Sequence, residues 1–415
     1  MARTSFFDLD AAARSQGSRI LVSLLATLAI CSAPQAEASP LSFLSEGFGI
    51  AQSPHESREK AMGEAGMASI TKQGLSIANP SRTAFHDKTS FTATADGDVD
   101  YLQDPETSNR TSTFIIPAIG LNFSLRKYGH FALFYRQRFH RNYSFTPLNP
   151  FQEDAVASFS AEGGLYEAAF TYAVAPIPSL ALGLGYHYYM GRERLIEPTE
   201  FTGNPRNSEL HNGEDLEGDT LFTRSSGGLP SLSMTVRQPK FSLALVGALG
   251  ATLEQEGKRS ITHLISNQKW SGTKDLPWSI SGGGAFKPVS NQTVVADFAW
   301  ESWEDDGSGI LNPAYRLGIG YEFQGKGGIY EPYLRKVAYR GGLGMERLYL
   351  EETDLYFLTA GTGLPLGRRG SLLDFAIKYG HRGSAKNNLW SEDFVKLSLS
   401  LTGVGNWGQP VRKRR

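Results

Sequence analysis

Alternation between apolar and small or polar residues dominates the chain from Ser90 onward. Between Ser179 and Met190, one face carries Leu180, Leu182, Leu184, Tyr186, Tyr188 and Met190; the other carries Ala181, Gly183, Gly185, His187 and Tyr189. A period of two sustained over this length predicts a long β-strand with one apolar face. Tyr315, Leu317, Ile319, Tyr321 and Phe323 alternate with Arg316, Gly318, Gly320 and Glu322. Aromatic residues at both ends with aliphatic residues between them are the mark of a strand crossing lipid between two interfacial girdles. Leu373, Phe375, Ile377 and Tyr379 alternate with Asp374, Ala376, Lys378 and Gly380, and Val395, Leu397, Leu399 and Leu401 with Lys396, Ser398, Ser400 and Thr402. The runs exceed the ~5–6 residues common in soluble sandwiches. They match the ~9–11 residues of a tilted membrane strand.

Short connections are expected at Arg126–His130, Ala175–Ser179, Gln238–Lys240, Lys287–Gln292, Gln324–Glu331 and Pro365–Gly370. Long polar ones are expected at Gly191–Gly228 and Glu254–Asp275. Short turns at one end and long loops at the other fit the periplasmic and extracellular ends of a membrane barrel. With a first strand near Ser90–Leu102 and a last near Phe394–Gly403, the pattern predicts an all-β, antiparallel transmembrane β-barrel of about 14 strands. The barrel is assigned to residues 89–404, with a basic periplasmic tail over 405–415.

Composition supports this reading. There are 45 Gly, 24 Phe and 17 Tyr, and the formal net charge of −1 offers nothing to a nucleic acid. The N-terminus reads as an address. Arg3, Arg14 and Arg19 precede an apolar run from Ile20 to Ile30, which is too short to span a bilayer, and Ala36-Glu37-Ala38 follows as a small-x-small cleavage pattern. Residues 1–38 are therefore expected to be a signal peptide cut after Ala38. Cys31, the one cysteine, follows a bulky Ile30, unlike a lipoprotein box, and would be lost on cleavage, so disulfides are excluded. The expected location is the outer membrane of a Gram-negative-type envelope, in contact with membrane lipids and lipopolysaccharide, as a monomer.

Residues 39–88 do not alternate. They are Gly- and Ala-rich around Met62, Gly63, Ala65, Gly66 and Ala68, then carry the turn signal Asn79-Pro80. Such a stretch is expected to form an N-terminal hatch inside the lumen, with its small residues letting backbone approach the wall closely. Here the chain resembles the FadL-type outer-membrane transporters of long-chain fatty acids and aromatic hydrocarbons. The resemblance rests on Met62, Gly63, Ala65, Gly66, Ala68, Asn79 and Pro80, with Ser81 where that superfamily usually has Ala. Gly361-Thr362-Gly363-Leu364-Pro365-Leu366 and Tyr379-Gly380-His381-Arg382-Gly383 also look like barrels of this superfamily. The resemblance implies passive uptake of a hydrophobic ligand, with those seven residues in the hatch or gate. PorV-type barrels share the opening pattern, and imply the alternative of a protein secretion or surface-attachment component that works with secretion-system proteins.

Inward charges should mostly pair with one another, and one left unpaired could receive a fatty-acid carboxylate. The candidates are Arg126, Arg316, Lys378 and Lys396 on the strands, beside Glu322 and Asp374, and Arg58 and Lys60 on the hatch, with Lys72 and Arg82 similar. Asn79 is a candidate hinge whose amide reaches the wall. Acidic stretches at Glu214–Asp219 and Glu301–Asp306 read as solvated loop tips. Asp96-Gly97-Asp98-Val99-Asp100 lacks the Gly and Glu that complete an EF-hand, so no metal is expected. No cofactor motif or catalytic signature is present, and an enzyme is not expected. His140 and His187 lie near strands, but no spacing joins either to a serine.

Overall fold

The computed structural model describes residues 48–70, 74–86, 88–103, 108–125, 128–145, 155–157, 159–197, 199–201, 219–261, 266–304, 311–325, 330–349, 354–366, 370–384 and 390–405. The expected signal peptide, Lys72, Arg126, all of the Glu214–Asp219 stretch but Asp219, and the basic tail lie outside them.

The strands are β1 (Thr89–Gln103), β2 (Ser108–Ser124), β3 (His130–Phe145), β4 (Phe159–Ile177), β5 (Leu180–Glu197) and β6 (Asp219–Arg237). Strand β7 comes in two pieces (Phe241–Ala248 and Ala251–Ile261), as does β8 (Ser266–Leu276 and Ser279–Phe286). The remainder are β9 (Gln292–Glu301), β10 (Ala314–Phe323), β11 (Ala338–Arg347), β12 (Asp354–Leu366), β13 (Ser371–Ser384) and β14 (Trp390–Gly405). Each pairs antiparallel with its chain neighbour, and β14 pairs with β1 from Ser391↔Gln103 to Gly405↔Thr89. The result is a closed barrel of 14 strands, as the alternation predicted. Closure matters in lipid, where an open sheet edge would leave backbone donors and acceptors without partners.

Alternation also assigns the faces. Leu182, Leu317, Ile319, Tyr321 and Leu401 point outward and are exposed, while Ala181, Glu322, Ser398, Ser400 and Thr402 are buried toward the lumen. No helix is long and apolar enough to cross a membrane. A closed antiparallel barrel with this outward apolar belt is an outer-membrane architecture. Replacing Leu317 with Arg should therefore cost about 2–4 kcal/mol if the residue sits at the bilayer midplane. Folding titrations into lipid vesicles would measure this, and a neutral result would place Leu317 away from lipid.

Two segments expected to be loops are strands. Ala251–Ile261 and Ser266–Leu276 pair from Ala251↔Leu276 to Ile261↔Ser266, continuing β7 and β8 beyond the apolar belt. Strand β5 likewise runs on to Glu197 and β6 starts at Asp219, paired Glu197↔Asp219, inside the span expected to be a loop. Beyond the buried Leu253 and Leu276 the β7–β8 extension is polar and open to water on both faces, so apolar alternation does not reveal it.

Strands β2 and β3 pair only from Ala118↔Arg136 to Ser124↔His130. Beyond that point Ser108–Pro117 keeps its partner β1, and Phe139–Phe145 keeps its partner β4, but the two do not pair with each other. Both strands bulge where their pairing stops. Ile116 and Pro117 together face Ala95, and Arg138 is the extra residue between Gln137 and Phe139. Proline has no N–H for a ladder bond, and a bulge turns the strand away from its neighbour. The wall is thus interrupted in its long-loop half. A two-residue strand, Ile50–Ala51, lies along the β3 edge of the gap (Ile50↔His140, Ala51↔Phe139), and Gln52 N–H donates to the Arg138 carbonyl at 2.8 Å.

Candidate functional site

Residues 48–86 pack against the inward faces of the strands. A one-turn helix, α1 (Ser57–Lys60), and a 3₁₀ turn (Pro80–Phe85) are joined by irregular backbone. Isolated helices this short do not hold themselves together in water, so their conformation rests on contacts with the wall. Gly63 has φ +70°, and an added Cβ would run into the carbonyl oxygens of Leu343 and Ile319. Gly320 on β10 is its counterpart: a Cβ there would overlap Met62. Backbone meets backbone at this place because neither side carries a side chain.

Hydrogen bonds fix the rest. Gly63 N–H donates to Thr359 Oγ1 at 2.8 Å. Gly66 and Met67 N–H both donate to Asp297 Oδ2, at 2.6 and 2.8 Å. The Ala68 carbonyl accepts from Ser242 Oγ at 2.6 Å. Met62 and Ala65 are fully buried and pack beside Val295. Asn79 is also fully buried; its amide donates to the Met67 carbonyl at 2.8 Å and to Thr235 Oγ1 at 2.9 Å, and accepts from Ser81 Oγ at 2.7 Å. Pro80 opens the 3₁₀ turn, where its missing N–H costs nothing.

Those of the cations singled out in the sequence that are described are engaged by carboxylates. Arg58 gives two bonds to Glu322, at 2.9 and 2.8 Å, and Glu322 also receives Arg340 at 2.7 Å. Lys60 meets Asp96 at 2.5 Å. Glu64 receives Lys378 at 3.0 Å and lies 3.5 Å from Arg316. Lys396 meets Asp98 at 2.9 Å. Arg82 meets Glu59 at 2.9 Å. The aspartates of the Asp96–Asp100 stretch therefore serve as inward counter-charges on β1 rather than as a loop. Within the lumen segment, burial and the neighbouring Glu59 carboxylate push Glu56 up to about 8. Burial and the Arg316 guanidinium pull His55 down to about 3.

A cavity of about 400 Å³ lies between this segment and the wall. Arg316, Lys378 and Lys396 line it, as do Met67 and Pro80, whereas Arg58 and Lys60 do not. Apolar lining comes from Ile77, Leu229, Val246 and Ile280. The cavity reaches the interrupted wall, where Thr111, Thr113 and Ile115 of β2 and Arg138 and His140 of β3 line it. Sequence reasoning missed Asp297, Thr359 and Thr235, which look like ordinary inward polar positions until the segment is seated on them. It also missed the partners of His187. Its Nδ1 lies 2.6 Å from Glu167 Oε1 and its Nε2 lies 2.7 Å from Ser231 Oγ. Glu167 and His187 share the inward face of the β4–β5 hairpin, a relation that the hairpin register makes readable.

Among solved structures, three toluene-transporter or FadL-homologue barrels align over nearly their whole length. The toluene transporter TbuX of Ralstonia pickettii matches at 14% identity with a TM-score of 0.54, over 85% of this chain and 98% of that one. A FadL homologue of Pseudomonas aeruginosa matches at 11% identity with a TM-score of 0.59, over 86% and 100%. The toluene transporter TodX of Pseudomonas putida matches at 12% identity with a TM-score of 0.57, over 87% and 100%. The likeness confirms the FadL-type barrel fold. No curated protein matches the sequence. The BamG family model matches residues 18–413. With nearly the whole length matched, the chain belongs to the BamG family.

Proposed function

We propose that the barrel is a passive conduit for small hydrophobic molecules, with the gap between β2 and β3 as its side door. The gap is the observation that carries this reading. An apolar solute is poorly served by a water-filled pore, but it gains by moving between a partly apolar cavity and bilayer hydrocarbon. The cavity reaches that opening. Structural neighbours described as toluene transporters support the same class of cargo. Charge balance narrows the class. Among the described candidates that line the cavity, Arg316, Lys378 and Lys396 already face carboxylates, which favours a neutral ligand over long-chain fatty acids. The alternative role, a secretion or surface-attachment component, draws support from the dense ion pairing that holds the segment in the lumen.

Thr113→Trp separates the two. Thr113 lines the cavity at the gap, and an indole there narrows the opening. Uptake of radiolabelled toluene is measured in cells with an intact lipopolysaccharide leaflet. We expect the variant to fall to the level of cells lacking the protein while its barrel still folds. Equal uptake by wild type, variant and null cells would remove the conduit reading and leave the partner role.

A further inference from the structure

We propose that Ser231, His187 and Glu167 form a serine-nucleophile triad in the lumen, acting on carboxylic esters with an apolar acyl group. The three residues come from β6, β5 and β4, which are adjacent in the wall. His187 Nε2 stands 2.7 Å from Ser231 Oγ, and its Nδ1 stands 2.6 Å from Glu167 Oε1. In the tautomer that satisfies both contacts, Nδ1–H donates to the carboxylate and Nε2 accepts the serine proton. That is the order of nucleophile, base and orienting acid that acyl transfer requires. Arg136 holds the other oxygen of Glu167, with Nε at 2.7 Å. This fixes the carboxylate and hence the ring.

All four side chains line the cavity that reaches the wall gap. Ile77, Leu229 and Val246 line it as well and suit an apolar acyl chain. In the reaction Ser231 Oγ bonds to the ester carbonyl carbon, its proton passes to His187 Nε2, and the carbonyl electron pair moves to oxygen. Collapse of the adduct breaks the ester C–O bond, and the alcohol leaves with the proton from Nε2. Water then attacks the acyl-serine, gives a proton to Nε2, and releases the carboxylic acid as Ser231 regains its proton.

The test uses the full-length protein folded in detergent, with a fluorescent fluorophosphonate and a p-nitrophenyl acyl ester as probes. A heat-modifiability gel verifies that each variant is a folded barrel. We expect one phosphonyl adduct, mapped to Ser231 by peptide mass spectrometry, and ester hydrolysis that Ser231→Ala abolishes. His187→Ala should slow labelling by about 100-fold or more, the usual contribution of a general base. Glu167 acts as a positioning residue, so Glu167→Gln should slow labelling and Glu167→Asp should restore part of the rate. A purely structural hydrogen-bond network would give no such recovery in labelling. The proposal is overturned if folded wild type takes no adduct at Ser231 and hydrolyses the ester no faster than folded Ser231→Ala.

Discussion

Deletion of residues 39–88 is expected to leave a barrel that inserts into membranes and conducts ions steadily, where the intact protein is closed. The wall does not need the segment. The ladder from Thr89 runs strand to strand around to β14 and back to β1. Among the described residues, the segment adds to it the short pairing of Ile50–Ala51 and the Gln52–Arg138 backbone bond. What the deletion removes is the chain seated on Gly320, Asp297, Thr359 and Thr235. Asp96, which loses Lys60, would then face water, which solvates it at little cost, and Glu322, which loses Arg58, would keep Arg340. Planar-bilayer recordings read the outcome directly. Unchanged conductance would mean that the segment lies outside the lumen in the inserted protein.

Truncating Glu322 should be the most damaging single substitution in the lumen. Its carboxylate sits between two guanidiniums, taking Arg58 through two bonds and Arg340 through one. Arg340 keeps Asp374 at 2.6 Å, but Arg58 keeps the neutral Ser69 Oγ at 3.0 Å and, as counter-charge, the more distant Glu59 at 3.5 Å. In Glu322→Ala, two buried cations face each other across a vacated site. Removing one member of such a buried pair typically costs about 3–5 kcal/mol. The exposed Arg335–Glu331 pair is the comparison, because a surface pair contributes only ~0–1 kcal/mol. Urea midpoints of the folded barrel should drop sharply for Glu322→Ala and hardly move for Glu331→Ala. If the two variants shift alike, Glu322 is not an anchor.

The parts of this fold that were legible in the sequence are those set by near neighbours. Leu317 next to Gly318 announces a strand and its lipid face, and the short turns announce the hairpins, so the strand number followed. Pro117 was a visible breaker, but the matching bulge at Arg138 has no sequence mark, and only the two together open the wall. The polar extensions of β7 and β8 were hidden because a hairpin wetted on both sides has no apolar period. The site was harder still. Arg58 and Glu322 were both noted as inward charges, yet they stand 264 residues apart and meet only once the barrel has closed. The same is true of Ser231, whose neighbour His187 lies 44 residues earlier in the chain and one strand over in the wall.

The seating of α1 on the last strand sets an order of events. Ser57 N–H donates to Ser400 Oγ at 3.0 Å, across 343 residues of sequence. A residue ahead of the first wall strand thus depends on one in the last. Contacts of such separation form slowly, since the whole intervening loop must be closed first. The segment cannot template the wall, because part of its seat belongs to β14, the last strand of the barrel in chain order. Capture of the segment therefore follows from joining the seam, and the two are neighbouring late events in biogenesis.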